Sequence, residues 1–144
     1  LETITPTAVI LHCSATPDYR ADDKLFDHFG AADIDIWHKK RGFDKIGYHI
    51  VVRRSGVYEF GRALLPPKVE KGAHCKAANS YAIGICYVGT KTPTTAQIRT
   101  LRTLYKIILE RYNIPISEWH GHRELGKTEC PGFEMSTIKD LISL

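Results

Sequence analysis

Residues 82–88, Ala82-Ile83-Gly84-Ile85-Cys86-Tyr87-Val88, decide the fold class. The run carries no charge and is stopped by Gly89. It has the length of a strand and is too short for an ordinary helix. A strand that is apolar at every position, rather than at alternate ones, needs cover on both faces. Helices give that cover, so the segment predicts the centre of a sheet in an α/β protein. Downstream, residues 95–112 supply the clearest helix. Thr94 and Gln97 fit a capping box, and Ile98, Leu101, Tyr105, Ile108 and Tyr112 recur at three- and four-residue steps. A last short helix is predicted over residues 136–143, with Ser136 as its cap.

Upstream, residues 7–12 form a second continuous apolar run, which predicts another buried strand. Residues 22–41 predict a helix capped by Asp22 or Asp23, with Leu25, Phe29, Ile36 and Trp37 on one side. Gly30 weakens its middle and Gly42 ends it. Residues 47–53 predict a strand that turns at Arg54-Ser55-Gly56 into a short partner over 57–60. Residues 62–80, broken by Pro66, Pro67 and Gly72, read as a long loop. A loop of that length in a compact domain is commonly functional. The expectation is an α/β fold, one domain over residues 1–144, with a central mixed β-sheet flanked by helices.

Bulk properties narrow the function. A chain of 144 residues can bury one good core but not two. A hydrophobic share of 43% with 25% charged residues argues against disorder. No apolar run approaches the roughly 20 residues of a membrane span, so no membrane partner is expected. The net charge of +4 is scattered rather than gathered in a stripe. That suits an anionic polymer such as a cell wall and argues against nucleic acid. Residues 1–6 show neither the charged head nor the apolar core of a signal peptide. Four cysteines are few for a disulfide scaffold. Reduced thiols are expected, with a pairing among Cys13, Cys75 and Cys86 left open.

The chemistry-bearing residues lie at the ends of these segments. His12 closes the first apolar run, where α/β folds tend to place their sites. His122 and Cys130 share a Gly- and Pro-containing stretch, residues 120–132. Two imidazoles and a thiolate suit zinc, and three protein ligands leave a fourth tetrahedral position for water. Each residue also has an ordinary reading: His12 as a core histidine bonded to a carbonyl, His122 as a surface group, Cys130 as a buried thiol. The spacing of His122 and Cys130 is no standard short zinc motif. Composition and spacing leave both readings standing.

The string Ile10-Leu11-His12-Cys13-Ser14-Ala15-Thr16 resembles the start of the zinc-dependent N-acetylmuramoyl-L-alanine amidases, a family that includes amidase-type phage lysozymes and animal peptidoglycan-recognition proteins. Trp37-His38-Lys39, Gly47-Tyr48-His49, Gly72-Ala73-His74, residues 79–84 and residues 120–132 match in the same order. The resemblance runs from about residue 7 to residue 143. It implies one zinc ion held by His12, His122 and Cys130, and cleavage of the amide between N-acetylmuramic acid and L-alanine in peptidoglycan. Zinc lowers the pKa of water to about 7 and polarises a carbonyl, as that reaction needs.

The resemblance gives Tyr48 a catalytic role and lets His74 and Asn79 line the substrate groove, though either could equally fix the loop by hydrogen bonds to its backbone. His49 and His38 read as structural, His28 as surface, and His120 as no ligand. Phage members place a catalytic lysine two residues before the cysteine. Here Thr128 stands there, as in the recognition-protein amidases, and Lys127 is one residue further back. Both are candidate catalytic residues. Some bacterial amidases carry a glutamate general base where this chain has Cys86, so water activation falls to zinc and Tyr48. Cys13 or Cys75 would be needed to close a purely structural zinc site, but Cys13 should face away from His12. The expected protein is a monomeric phage or prophage endolysin, made in the cytoplasm and released to the wall, or secreted. The alternative is a non-catalytic module that recognises peptidoglycan, but Cys130, the ligand typically lost in such modules, is present.

Overall fold

The apolar run at 82–88 is the middle strand of the main sheet in the computed structural model, which describes residues 1–144. In chain order the strands are β1 (Thr3–Ile4), β2 (Ala8–Cys13), β3 (Ile50–Val52), β4 (Tyr58–Phe60), β5 (Leu64–Leu65), β6 (Lys68–Glu70), β7 (Ala82–Tyr87) and β8 (Trp119–Gly121). The helices are α1 (Ala31–Lys40), α2 (Thr95–Tyr112) and α3 (Lys139–Ile142). The main sheet runs β4-β3-β7-β2-β8. β3, β7, β2 and β8 are parallel, and β4 adds an antiparallel edge. Every residue of β7 is buried, as a strand without alternation requires.

The two faces of the sheet are covered differently. On one, Leu11, Ile83, Ile85 and Tyr87 pack in a single cluster with Leu101, Leu104 and Ile108 of α2 and Ile142 of α3. Each fully buried aliphatic side chain there contributes about 1.5–3 kcal/mol. The other face has two separate covers. α1 packs through Ile34 over Val51, Cys86 and Val88. The 72–81 segment packs through Cys75 and Ala78 over Ala8, Ile10 and Ala82. An open groove lies between these covers, and His12 belongs to its floor.

Local rules account for α2. Thr94 Oγ1 accepts from Gln97 N–H at 3.0 Å while Gln97 Oε1 accepts from Thr94 N–H at 2.9 Å. Gln97 is buried, and its Nε2 also donates to the carbonyls of Val52 and Val88. The cap therefore ties the helix to the ends of β3 and β7. Asn113 ends α2 in the left-handed region, at φ 57°.

Four segments differ from the sequence expectation. The helix expected at 22–41 is only Ala31–Lys40, and Gly30 is its cap rather than its middle. Residues 21–27 form turns instead. A Cβ on Gly30 would sit 2.5 Å from Arg53 and Glu59, so the chain there fits against β4 rather than continuing as helix. The strand expected at 47–53 pairs only from Ile50 to Val52. The loop expected at 62–80 contains the β5–β6 hairpin, which joins β1 in a small sheet ordered β1-β6-β5. Strands of two or three residues carry too little pattern to be seen. The expected last helix is a 3-10 turn at Met135–Thr137 followed by the four-residue α3. All four cysteines are free thiols.

Candidate metal centre and groove

Parallel pairing brings the first two candidate ligands together. β2 and β8 run side by side with Leu11 opposite Gly121. The next residue on each is a histidine, so His12 and His122 meet at the carboxyl ends, with ring centroids 4.7 Å apart. Cys130 comes back on the loop after β8. Arg123 N–H donates to the Cys130 carbonyl at 2.6 Å, and Cys13 N–H donates to Cys130 Sγ at 3.2 Å. Tyr87 donates its hydroxyl to the Pro131 carbonyl at 2.7 Å and pins the loop from below.

The ligand atoms of His12, His122 and Cys130 all lie within 4.8 Å of one another. His12 Nδ1 is 3.8 Å from Cys130 Sγ. With ordinary Zn–N and Zn–S bonds, a tetrahedral nitrogen–sulfur edge is roughly 3.6 Å, so the donor set fits zinc in both chemistry and spacing. His12 is 1% exposed, and its burial, with the neighbouring imidazoles, holds it well below the usual histidine range. Burial lowers His122 as well. Neutral imidazoles are the form that binds a metal. Cys13 belongs to the opposite core, as strand alternation requires, and the metal-competent group has three members.

The groove above these residues has a volume of about 320 Å³. Tyr48 stands beside His12, ring centroids 5.0 Å apart, with its hydroxyl in reach of the Cys86 thiol. Burial raises the phenol well above its ordinary value, so Tyr48 is a proton-bearing donor rather than a base. The segment carrying it is closely fitted. Gly47 N–H donates to His38 Nδ1 at 2.9 Å, and a Cβ on Gly47 would overlap the Ala73 carbonyl. Opposite Tyr48, Asn79 Oδ1 accepts from the backbone N–H groups of His74 and Cys75, both at 2.9 Å. His74 Nδ1 lies 2.8 Å from His12 Nε2. Its burial pushes His74 down to about 3.

Of the residues singled out in the sequence, His12, Tyr48, His74, Asn79, His122 and Cys130 all line this groove. Lys127 and Thr128 are exposed and outside its lining. The Thr128 hydroxyl accepts from Cys130 N–H at 3.2 Å, so it shapes the ligand loop. His120 sits between Glu118 and Glu124, at 3.1 and 3.2 Å, away from the centre. His49 is buried, donating Nε2–H to the Glu70 carbonyl and accepting Gly84 N–H at Nδ1. Three lining residues had no signal in the sequence: Arg41, Phe43 and Lys76. Arg41 follows two lysines at a helix end, where cations are expected for the helix dipole alone. A larger depression of about 670 Å³ lies beside Asp18, Arg54 and Thr94. Arg54 there is consumed by carbonyls of Tyr19, Val88 and Thr92, and the depression holds none of the metal-competent group.

A His-His-Cys cluster at the ends of parallel strands, under an open groove, has the donors of a mononuclear metal hydrolase. The chain belongs to the N-acetylmuramoyl-L-alanine amidase family, whose pattern matches residues 2–133. It is 32% identical to the endolysin of Escherichia phage T7 over 136 residues, covering 89% of this chain and 82% of that protein. It is 39% identical to peptidoglycan-recognition protein SC2 of Drosophila melanogaster over 107 residues, covering 69% of this chain and 55% of that protein. Among solved structures, the amidase LysC from Clostridium intestinale superposes with a TM-score of 0.78 at 27% identity, covering 98% of this chain and 87% of that one. The family, the endolysin relatives and this likeness make the chain a peptidoglycan amidase. No helix is long and apolar enough to cross a membrane.

Proposed function

We propose that His12, His122 and Cys130 hold one zinc ion, and that the groove presents the bond between N-acetylmuramic acid and L-alanine to it. The observation that carries this reading is the convergence of the three ligand atoms within 4.8 Å at the groove floor. When bound, zinc supplies Lewis-acid polarisation of the scissile carbonyl and a lowered pKa for water. The chain's own groups position and stabilise. Tyr48, protonated and fixed against His38 and Cys86, donates a hydrogen bond to the oxygen that gains charge in the tetrahedral transition state. Cys86 brings no carboxylate to the site, so activation of the water rests on the zinc, with Tyr48 as the donor beside it. Arg41 and Lys76 offer positive charge to an acidic stem peptide, and Asn79 lines the same groove. Thr128 keeps Cys130 in place, and Lys127 adds charge to the outer loop.

All three ligands come from one chain, so the centre needs no second copy and a monomer suffices. Acting on the wall fits a phage or prophage endolysin, as in the T7 relative. A binding-only module is disfavoured because Cys130 completes the ligand set. Metal analysis beside a wall-clearing assay tests the reading. Purified protein should carry one zinc per chain, and chelation should stop clearing that added zinc restores. Cys130→Ala should lose both metal and activity. Full activity in Cys130→Ala would rule out this ligand set.

A further inference from the structure

Resting on that zinc reading, we propose that His74 is a positioning residue for the metal centre: it fixes the tautomer and angle of His12 rather than contacting substrate. The argument begins at a backbone carbonyl. His74 Nε2 lies 3.3 Å from the Ala82 carbonyl oxygen, which can only accept, so the His74 proton sits on Nε2. With that proton on Nε2, the acceptor position of the ring is Nδ1. That atom is 2.8 Å from His12 Nε2, so His12 carries its own proton there and donates it. The lone pair of His12 is left on Nδ1, the atom that faces Cys130 Sγ at 3.8 Å. One strand carbonyl thus sets two imidazoles in series and aims the second at the metal position. Ligating histidines ordinarily give their other N–H to such a partner, which orients the ring and raises its basicity.

The sheet is shaped to admit this ring. Gly84 sits inside β7, where a glycine weakens a strand. A Cβ there would lie 2.5 Å from His74 Cγ, so the strand lacks a side chain where the imidazole rests. The ring is further held by Asn79, through the N–H of its own residue. Both ring nitrogens of His74 are engaged, one at the Ala82 carbonyl and one at His12, leaving neither for a ligand in the groove.

The test uses the zinc-loaded protein and His74→Phe and His74→Asn. Phenylalanine keeps the bulk without an acceptor; the asparagine Oδ1 falls near the place of Nδ1. Zinc affinity is read by competition with a chromophoric chelator, alongside KM and kcat on muropeptides. His74→Phe should bind zinc about 10–100-fold more weakly, and His74→Asn should recover most of the loss. Unchanged zinc affinity in folded His74→Phe, with only KM raised, would overturn the proposal and make His74 a substrate contact. Equal losses in both variants would also overturn it. Nitrogen NMR of the wild-type imidazoles gives the same answer without any variant. His12 should be protonated at Nε2 and metal-bound through Nδ1; metal bound through Nε2 would refute the proposal. Wild-type protein that takes up no zinc would instead defeat the metal centre itself.

Discussion

In the proposed reaction, Tyr48 is the residue on which the chemistry most depends beyond the three candidate ligands. Its hydroxyl is raised well above the ordinary phenol range by burial, so it donates across the whole working pH range. Tyr48→Phe should lower kcat by about 10²–10³-fold with little change in KM, the usual loss when one oxyanion donor goes. Steady-state kinetics on a defined muropeptide checks this, and an unchanged kcat would remove Tyr48 from the reaction. Lys127→Ala, outside the groove, should change kcat less than threefold, on the order of an ordinary surface substitution. His12, His122 and Cys130 were legible in the sequence because three soft or borderline donors stood at segment ends and the ordered motifs matched a family. The particular contacts of His74 and Thr128 were not legible. Each depends on which backbone group its side chain meets: the Ala82 carbonyl for His74 and the Cys130 amide for Thr128. No one-dimensional pattern carries that information.

At the scale of elements, β7 joins core and site. Its odd-numbered Ile83, Ile85 and Tyr87 build the α2 side, while Gly84 and Cys86 face His74 and Tyr48. Gly84→Ala should therefore act twice. Overpacking of this kind costs about 1–3 kcal/mol, and displaced His74 should weaken zinc binding as well. A denaturant melt with a zinc titration measures both, and wild-type zinc affinity in Gly84→Ala would mean that the ring has room to spare. Gln97→Ala is the complementary case. It leaves the Thr94 amide without its acceptor, at about 1–3 kcal/mol for a buried group left unsatisfied, while the Val52 and Val88 carbonyls keep Val88 N–H and Arg54 as donors, and it should leave zinc affinity per folded molecule unchanged. β7, β2 and α2 could be read in advance because long apolar runs and a capping box are local signals. α1 was overextended because Gly30 reads as a weak helical residue until Arg53 and Glu59 are seen against it. β1, β5, β6 and β8 are two or three residues long and are defined by pairing alone.

The whole molecule buries several imidazoles on one side of a single sheet, and that has a cost in acid. His49 and His74, neither of them a ligand, are both held below the ordinary value of 6.5 by burial. Below pH 6.5 the unfolded chain takes up protons that the fold refuses. Stability should be highest above that pH and fall beneath it, by about 1.4 kcal/mol per pH unit for each imidazole that stays neutral. For His74 the fall continues to about pH 3. Denaturant melts from pH 7.5 to 4.5 check this, and a flat profile would mean that these rings charge within the fold. One face of the sheet is sealed by α2 and α3; the other is split by a groove with the metal-competent group at its floor. The most direct measurement is product analysis of purified peptidoglycan digested by the zinc-loaded protein, with Cys130→Ala in parallel. New L-alanine amino termini should appear without new reducing sugar ends, and only with the wild-type chain. Reducing ends in place of amino termini, or equal release by Cys130→Ala, would contradict the account.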